Sequence, residues 1–96
     1  MIRSKAIRQS ARGQPCTVRA PECTGGDETT VWAHSNLSEH GKGMSLKAHD
    51  IFGCYACMSC HAWLDGRRPE WRALFWSAFS RSLLILIENG TVVIKP

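Results

Sequence analysis

The sequence predicts a small α+β domain whose elements are joined by a bound metal ion, and three observations support this prediction. The chain has 96 residues, which suffices for one domain with a modest apolar core. Short segments rich in β-branched and aromatic residues precede a long segment with helical periodicity. Five cysteines are present, and in a reducing compartment cysteines bind metals more often than they form disulfides. A bound metal would add stability that so small a core lacks.

Residues 1–14 are predicted to form a basic arm with a short helix around residues 4–12. The net charge of the chain is +4, and no acidic residue precedes Glu22. The arm and the residues just after it contain five basic side chains: Arg3, Lys5, Arg8, Arg12 and Arg19. An arm of this kind commonly contacts nucleic-acid phosphates, although a solvated, partly disordered terminus would have the same composition.

The apolar segments are short. The basic residues of the arm interrupt any segment that could serve as a signal peptide. The longest wholly apolar run, residues 83–87, has five residues and is too short to span a bilayer. We therefore expect a cytoplasmic protein with no membrane partner.

Two short strands are expected in the middle of the chain. Residues 29–34 (TTVWAH) are rich in β-branched and aromatic side chains and predict the first strand. Residues 35–48 contain two glycines and several polar side chains, which favours an irregular loop. Residues 49–55 predict a second strand, which Gly53 weakens.

Two helices are expected in the second half of the chain. The first begins within residues 58–61 and ends near Gly66, and Pro69 then fits the first position of the second helix. Aromatic residues of the second helix recur at i, i+4 and i+8: Trp71, Phe75 and Phe79. Such a stripe could stack on nucleic-acid bases, but helical periodicity favours packing in the core.

The C-terminal segment is compatible with two structures. Asn89 and Gly90 lie between two apolar segments, residues 83–87 and 92–94, which matches a β-hairpin. The same residues match a helix that continues to about Glu88, is capped by Gly90 and is followed by a short strand. We favour the helix because the apolar periodicity of the preceding segment continues without a break.

Four of the five cysteines form two separated pairs, Cys16 with Cys23 and Cys57 with Cys60. Two such pairs suit a tetrahedral structural Zn²⁺ with four thiolate ligands. Cys54 and Cys57 form a competing pair with the same spacing as Cys57 and Cys60. We prefer Cys57 and Cys60 because Cys60 opens the predicted helix, which leaves Cys54 as a buried apolar thiol.

His61 directly follows the second cysteine pair, and Asp65 lies four residues further along the chain. Residues i and i+4 project from the same face of a helix, so both side chains could reach one metal ion. His34 ends the first predicted strand. A lone histidine on a strand is usually structural, but the succession of strand, loop, strand and Cys-x-x-Cys-His helix indicates a second, chemical role.

These features resemble the HNH nucleases, also called ββα-metal or His-Me finger nucleases, and in particular the YbcO-like prophage nucleases. The matching positions lie within about residues 9–95: Ala11-Arg12-Gly13, Cys16, Val18-Arg19, Pro21, Cys23, Glu28-Thr29, Ala33-His34, Asp50, Ala56-Cys57, Cys60-His61, Asp65-Gly66-Arg67-Arg68 and Gly90. The resemblance implies an α+β treble-clef or ββα-metal finger with an additional C-terminal helix and short strand. It also implies that residues 15–96 form a single HNH-like zinc-binding domain that cleaves DNA, encoded by a phage or prophage in a bacterial host.

The resemblance implies chemical roles for particular residues. His34 would be the general base that activates water to attack a phosphodiester. His61 would bind a second divalent cation (Mg²⁺, Mn²⁺, Ni²⁺ or Zn²⁺) that polarises the scissile phosphate. Asp65 would be a second ligand or would orient a metal-bound water. Asp50 is the nearest equivalent of the family's central asparagine and would brace the loop or bind the metal, with Asn36 as a less favoured equivalent.

One departure from the family leaves the identity of the general base open. Many HNH nucleases have an acidic residue or a histidine directly before the base, and Ala33 occupies that position here. His34 could then bind the metal itself, with His49 or His40 as the base. Ala33 also supports the alternative function, a noncatalytic zinc-binding adaptor for nucleic acid or protein on the same fold.

Basic residues just beyond the predicted metal-binding helix favour a DNA-binding surface. They are Arg67, Arg68 and Arg72, joined by Arg12 from the arm. Together they would form a nonspecific electrostatic footprint, although ordinary surface charge is equally common. No helix with base-reading side chains stands out, so we expect little sequence specificity.

Overall fold

Two antiparallel strands lie at the centre of the fold. The computed structural model describes residues 1–95, in which the strands are β1 (Val31–His34) and β2 (Gly53–Ala56). The register pairs the first residue of β1 with the last residue of β2, so the end of β1 lies beside the start of β2. The long connection between them contains a short 3-10 helix, Ser38–His40. The two strands that the sequence predicts are therefore present.

The second strand begins later than predicted. Residues 49–52 form a turn in which the Phe52 amide donates to the His49 carbonyl at 3.0 Å. Gly53 then starts the strand rather than weakening it. A Cβ at this position would lie 2.5 Å from Nε1 of Trp32, so the close packing of the indole against β2 requires glycine.

Three helices surround the strands: α1 (Lys5–Gln9), α2 (Met58–Asp65) and α3 (Trp71–Glu88). The bounds of α2 agree with the prediction. Pro69 does not open α3 as predicted, because Glu70 adopts a left-handed φ of 68° and separates the proline from the helix. No helix among residues 1–95 has the length and apolar character needed to cross a membrane.

The predicted C-terminal strand is wrong for the residues that the structure describes. The continuation of α3 to Glu88 also excludes the alternative hairpin. The Val92 amide donates to the Leu86 carbonyl at 3.0 Å, so the chain folds back onto the end of the helix. Val93 and Ile94 are exposed, and the central sheet described for residues 1–95 has only the strands β1 and β2.

Two apolar clusters form the core. The larger cluster joins the cysteine-rich region, α2 and the inner face of α3. Phe75 is fully enclosed in this cluster, and Trp71 and Phe79 pack against it, which confirms core packing for the aromatic stripe. The smaller cluster contains Ile7, Ala11, Trp32, Tyr55 and Leu86. Because Ile7 belongs to α1, the N-terminal arm packs against the sheet and the end of α3, and its helix is shorter than predicted.

Candidate metal centre and active-site cleft

The four predicted cysteines meet at one point of the structure. The Sγ atoms of Cys16, Cys23, Cys57 and Cys60 all lie within 4.8 Å of one another. Among residues 1–95, these cysteines are the one group of at least three metal-binding side chains close enough together to hold an ion. Cys57 caps the N-terminus of α2, and Cys60 lies in its first turn, so the helix start fixes two of the four thiols. These cysteines are therefore positioned to bind a metal ion.

Backbone amides point at the sulfur atoms of the cluster. Cys57 Sγ accepts hydrogen bonds from the Cys60 amide at 3.4 Å and the Thr24 amide at 3.5 Å. Cys23 Sγ accepts one from the Gly25 amide at 3.3 Å. Burial raises the pKa of the Cys57 thiol, but the hydrogen bonds from Thr24 and Cys60 outweigh this effect and lower the pKa to about 6. Amides that favour a thiolate also favour a metal ligand, since the thiolate is the form that binds.

A glycine allows the segment after Cys23 to lie directly against the segment around Cys16. Gly26 has a φ of +91°, and a Cβ at this position would lie 2.4 Å from the Cys16 backbone nitrogen. A larger residue would push the segments around Cys16 and Cys23 apart. Gly26 is thus a structural requirement of the cluster that cysteine spacing alone did not indicate.

Cys54 lies outside the cluster. It is fully buried on β2, where it pairs with Ala33 of β1. Burial raises the pKa of its thiol, which keeps the side chain protonated and apolar. The choice of Cys57 and Cys60 over the pair Cys54 and Cys57 therefore agrees with the geometry.

His34, His61 and Asp65 line one open cleft of about 470 Å³. His61 Nε2 lies 3.4 Å from Asp65 Oδ2, as expected for residues one helical turn apart on α2. Asn36 also lines the cleft, and its Nδ2 donates to Asp65 Oδ1 at 3.1 Å. The side chains of His61 and Asp65 are 35% and 56% exposed, so both are accessible to a ligand from solvent.

His34 is held by Asp50. His34 Nε2 lies 2.7 Å from Asp50 Oδ1, and the Asp50 carboxylate is only 1% exposed. Asp50 does not line the cleft, whereas His34 does. Of the two roles considered for Asp50, bracing the site therefore fits its position, and direct metal binding does not.

The N-terminal segment supplies most of the other donors to Asp50. The Ser4 amide donates to Oδ2 at 2.6 Å, Arg3 Nη1 lies 3.2 Å from Oδ1, and Arg8 Nε lies 3.2 Å from Oδ2. Burial raises the pKa of Asp50, but the hydrogen bonds from His34, Ser4 and Arg3 outweigh it and hold the pKa below its usual value. Two of the residues that hold this carboxylate, Arg3 and Arg8, belong to the basic arm for which the sequence suggested phosphate contact or a solvated terminus.

The cleft is lined by four basic side chains: Arg8, Lys42, Lys47 and Arg67. Arg67 is one of the four predicted DNA-binding residues. Arg72, another of them, lines an adjoining groove, whereas Arg12 and Arg68 line neither. Sequence reasoning missed the two lysines because they lie in the loop between the strands, whose path has no periodic signal.

The other two histidines have partners outside the cleft. His40 is buried in an aromatic cluster, stacks on Phe52 at a centroid distance of 4.1 Å, and its Nδ1 lies 2.6 Å from Ser35 Oγ. Burial lowers the pKa of His40. His49 Nδ1 accepts a hydrogen bond from the Ile2 amide at 2.8 Å. Neither residue lines the cleft, so the geometry favours His34 over both as the basic group.

Comparison with known proteins identifies the family. A family model described as "Putative nuclease YbcO" matches residues 5–90. The chain belongs to the YbcO family. This confirms the predicted resemblance to the YbcO-like proteins.

Two relatives carry the name of the YbcO family. They are "Putative nuclease YbcO" of Escherichia coli (strain K12) and "Putative nuclease ybcO" of Enterobacteria phage 82, and each is 40% identical over 62 residues. The matched segment covers 64% of this chain and 64% of each relative, slightly less than two thirds of their length.

A solved structure has the same fold as this YbcO-family chain. It is described as "Structure of a putative bacteriophage protein from Escherichia coli str. K-12 substr. MG1655". The TM-score is 0.67 with 28% identity, and the match covers 88% of this chain and 100% of that chain.

Proposed function

We propose that this chain is a metal-dependent DNA endonuclease of the HNH type, in which β1, β2 and α2 form the ββα-metal finger of a treble clef. The observation that carries this proposal is the cleft itself. A histidine braced by a buried carboxylate faces the same opening as a His-Asp pair on a helix, and cationic side chains surround both. This is the set of groups that phosphodiester hydrolysis requires: a base, a cation site and donors for phosphate.

The cysteine cluster fits a structural Zn²⁺. Four sulfur donors in one compact, largely buried group are typical of closed zinc sites, and no position is left for substrate. The amide donors to Cys23 and Cys57 suit a tetrathiolate, because they offset part of its negative charge. Zinc here would stabilise the fold and hold the start of α2, from which His61 projects.

His61 and Asp65 fit a second divalent cation. They would be its two protein ligands, since both side chains are accessible from solvent and His61 Nε2 lies 3.4 Å from Asp65 Oδ2, and water and phosphate oxygens would supply the other ligands. Mg²⁺, Mn²⁺, Ni²⁺ or Zn²⁺ bound there would neutralise charge on the phosphate and on the departing oxygen. Asn36 supports this site, because its Nδ2 donates to Asp65 Oδ1 and orients that carboxylate.

His34 is the proposed general base. Asp50 is an ionised acceptor, so the His34 Nε2–H donates to it and Nδ1 retains the lone pair. That nitrogen can take a proton from the attacking water, and the Asp50 carboxylate stabilises the imidazolium that results. Ala33 adds no group to the cleft, since its side chain is buried on β1.

DNA is the proposed substrate, bound with little sequence specificity. Arg8, Lys42, Lys47 and Arg67 line the cleft and can contact successive phosphates, which carry no sequence information. A cytoplasmic enzyme encoded by a phage or prophage fits the phage-82 relative.

Plasmid nicking tests the proposal. Zinc-loaded wild type is incubated with supercoiled DNA and Mg²⁺, Mn²⁺, Ni²⁺ or Zn²⁺, beside His34→Ala, His61→Ala and the surface control Lys5→Ala. We expect nicking by the wild type and the control, with both histidine variants reduced about 10²- to 10⁴-fold. Absence of cleavage by the wild type with every metal, or cleavage by both histidine variants at the rate of the wild type, would overturn the proposal. DNA binding without cleavage would instead favour the noncatalytic adaptor.

The variant His49→Ala locates the base. Because His49 lies outside the cleft and accepts from Ile2, we expect it to cleave far better than His34→Ala. Loss of cleavage in His49→Ala with retention in His34→Ala would transfer the role of base to His49.

A further inference from the structure

A second groove of about 520 Å³ continues from the cleft. The two share Asn36, Lys42 and Arg67, so a strand lying across the cleft would pass into the groove. Three cations line it, Lys42, Arg67 and Arg72, against a single acid, Glu39. Its charge therefore suits a nucleic-acid backbone, as the charge of the cleft does.

One wall of the groove is a tight turn with an exposed apolar tip. Gly43 and Leu46 exchange two backbone hydrogen bonds, each 3.1 Å, which fixes the turn. Met44 at the tip is 98% exposed, and Leu46 is 46% exposed. Packing within residues 1–95 does not explain why an apolar side chain occupies this tip.

The turn is anchored beside the cleft. Lys42 and Lys47, on either side of it, both line the cleft. Arg3 Nη2 donates to the Lys47 carbonyl at 3.0 Å, and Arg3 Nη1 donates to the Ala48 carbonyl. The apolar tip is thus held at a defined position relative to His34 and His61.

Trp71 also lines the groove. Its ring packs against the larger core cluster. The guanidinium carbons of Arg67 and Arg72 lie 5.8 and 5.4 Å from the ring centroid. The groove therefore combines a fixed aromatic side chain with cations, as single-strand binders do for base and phosphate, and adds the exposed thioether of Met44.

We propose that this groove binds an unpaired nucleotide next to the scissile phosphate, with Met44 and Trp71 against the base and Arg72 at its phosphate. The inference rests on the proposed function and names its substrate class: DNA with an unpaired base, such as a bulge, gap or flap, in preference to perfect duplex. The apolar walls require this choice, because a base within a duplex stack has no free face to offer them.

Anisotropy titration of labelled DNA tests the inference without cleavage. Zinc-loaded protein, with no further divalent cation, is titrated with a perfect duplex and with the same duplex containing one unpaired base. We expect the wild type to prefer the unpaired base about tenfold, in line with stacking of one base. The variant Met44→Gln keeps the length of the side chain but makes it polar, and should reduce the preference to about twofold. Arg72→Gln should lower the affinity for the unpaired-base DNA below that of the wild type.

Matched controls separate this site from general effects. Met58→Gln changes an exposed methionine of α2, and Arg19→Gln changes an exposed arginine, and neither residue lines the cleft or the groove. Both controls should keep the tenfold preference. Equal affinity of the wild type for the two DNAs, or an unchanged preference in Met44→Gln, would overturn the inference while plasmid nicking still supports the proposed function. Failure to bind either DNA would overturn both.

Discussion

The cysteine cluster and the histidine cleft are built from adjacent residues of one helix. Cys60 is fully buried among the thiols, whereas the next residue, His61, is 35% exposed in the cleft. Successive residues of a helix point about 100° apart, so one short helix can serve two sites on different sides. The comparison shows how Cys-x-x-Cys-His combines a structural and a chemical role: the cysteines fix the helix start, and the helix aims the histidine.

The two regions also differ in how they are assembled. Each cysteine pair of the cluster is shaped by nearby backbone, with the Gly25 and Cys60 amides next to the sulfurs and a close contact at Gly26. The two pairs are distant in sequence, and the Thr24 amide, which donates to Cys57 Sγ, links them. The cleft is made by distant segments, since Asp50 is held by Arg3 and Ser4 from the N-terminus. We therefore expect damage to the cluster to unfold the protein, and damage to the cleft to reduce its activity first.

The largest expected effect is on the cluster. Cys60→Ala removes one thiol, and the structural metal of a domain this small contributes on the order of 10 kcal/mol to folding. The variant should bind no zinc and show no cooperative unfolding transition by circular dichroism. Cys54→Ala is the matched control, because Cys54 is buried outside the cluster and should retain one zinc per chain. Normal zinc content in Cys60→Ala would contradict the assignment of the four ligands.

The next effect concerns the carboxylate behind the cleft. Asp50→Asn removes the buried anion that accepts from His34, Ser4 and Arg3, and should cost about 2 kcal/mol in the free energy of unfolding. Denaturant titration of the zinc-loaded variant measures this loss. The zinc content should stay at one per chain, since Asp50 lies outside the cluster. A stability equal to that of the wild type would show that the buried carboxylate does not hold the N-terminal segment.

Substitution of the two arginines of the N-terminal segment should affect kcat and KM differently. Arg3 contacts Asp50 without lining the cleft, so Arg3→Met should lower kcat about tenfold through the orientation of His34, with little change in KM. Arg8 contacts Asp50 as well but also lines the cleft, so Arg8→Met should raise KM for DNA in addition to lowering kcat. Steady-state nicking kinetics distinguish the two, with Lys5→Met as the control. A rise in KM alone for Arg3→Met would show that Arg3 contacts DNA phosphate and does not orient His34 through Asp50.

The smallest effect is the pH dependence of stability from His40. Burial holds its pKa in the folded state below the ordinary value of 6.5, with Glu39 opposing the shift. The unfolded state therefore binds the proton more readily, and the contribution of His40 is lost as pH falls through about 6.5 towards the folded pKa. The variant His40→Phe should lose less unfolding free energy between pH 7 and pH 5 than the wild type does. Equal losses would show that other groups, including the thiolates, cause the whole dependence.

The parts of the molecule that sequence could predict are those with local chemical signatures. Cysteine spacing indicated all four thiols, and the i, i+4 relation placed His61 and Asp65 on one face of α2. Helical periodicity likewise predicted α3 and its buried aromatic stripe, because burial imposes that period on the residues.

The parts that could not be predicted depend on contacts between distant segments. Arg3 reaches Asp50 across 47 positions, and no pattern in either segment indicates that contact. Lys42 and Lys47 enter the cleft through an irregular loop, whereas Arg12 and Arg68 carry the same charge but lie outside it. The prediction of a C-terminal strand failed because the chain after α3 folds back onto the end of the helix, where the Val92 amide donates to the Leu86 carbonyl.

Binding of a second cation tests most directly the claim that one helix serves two separate sites. Mn²⁺ is titrated into zinc-loaded protein and followed by electron paramagnetic resonance, for the wild type, His61→Ala and Asp65→Asn. We predict one Mn²⁺ site in the wild type and none in either variant, with one zinc retained per chain in all three. A variant that loses its zinc as well as its Mn²⁺ site would contradict the account. Mn²⁺ binding that persists unchanged in both variants would contradict it too.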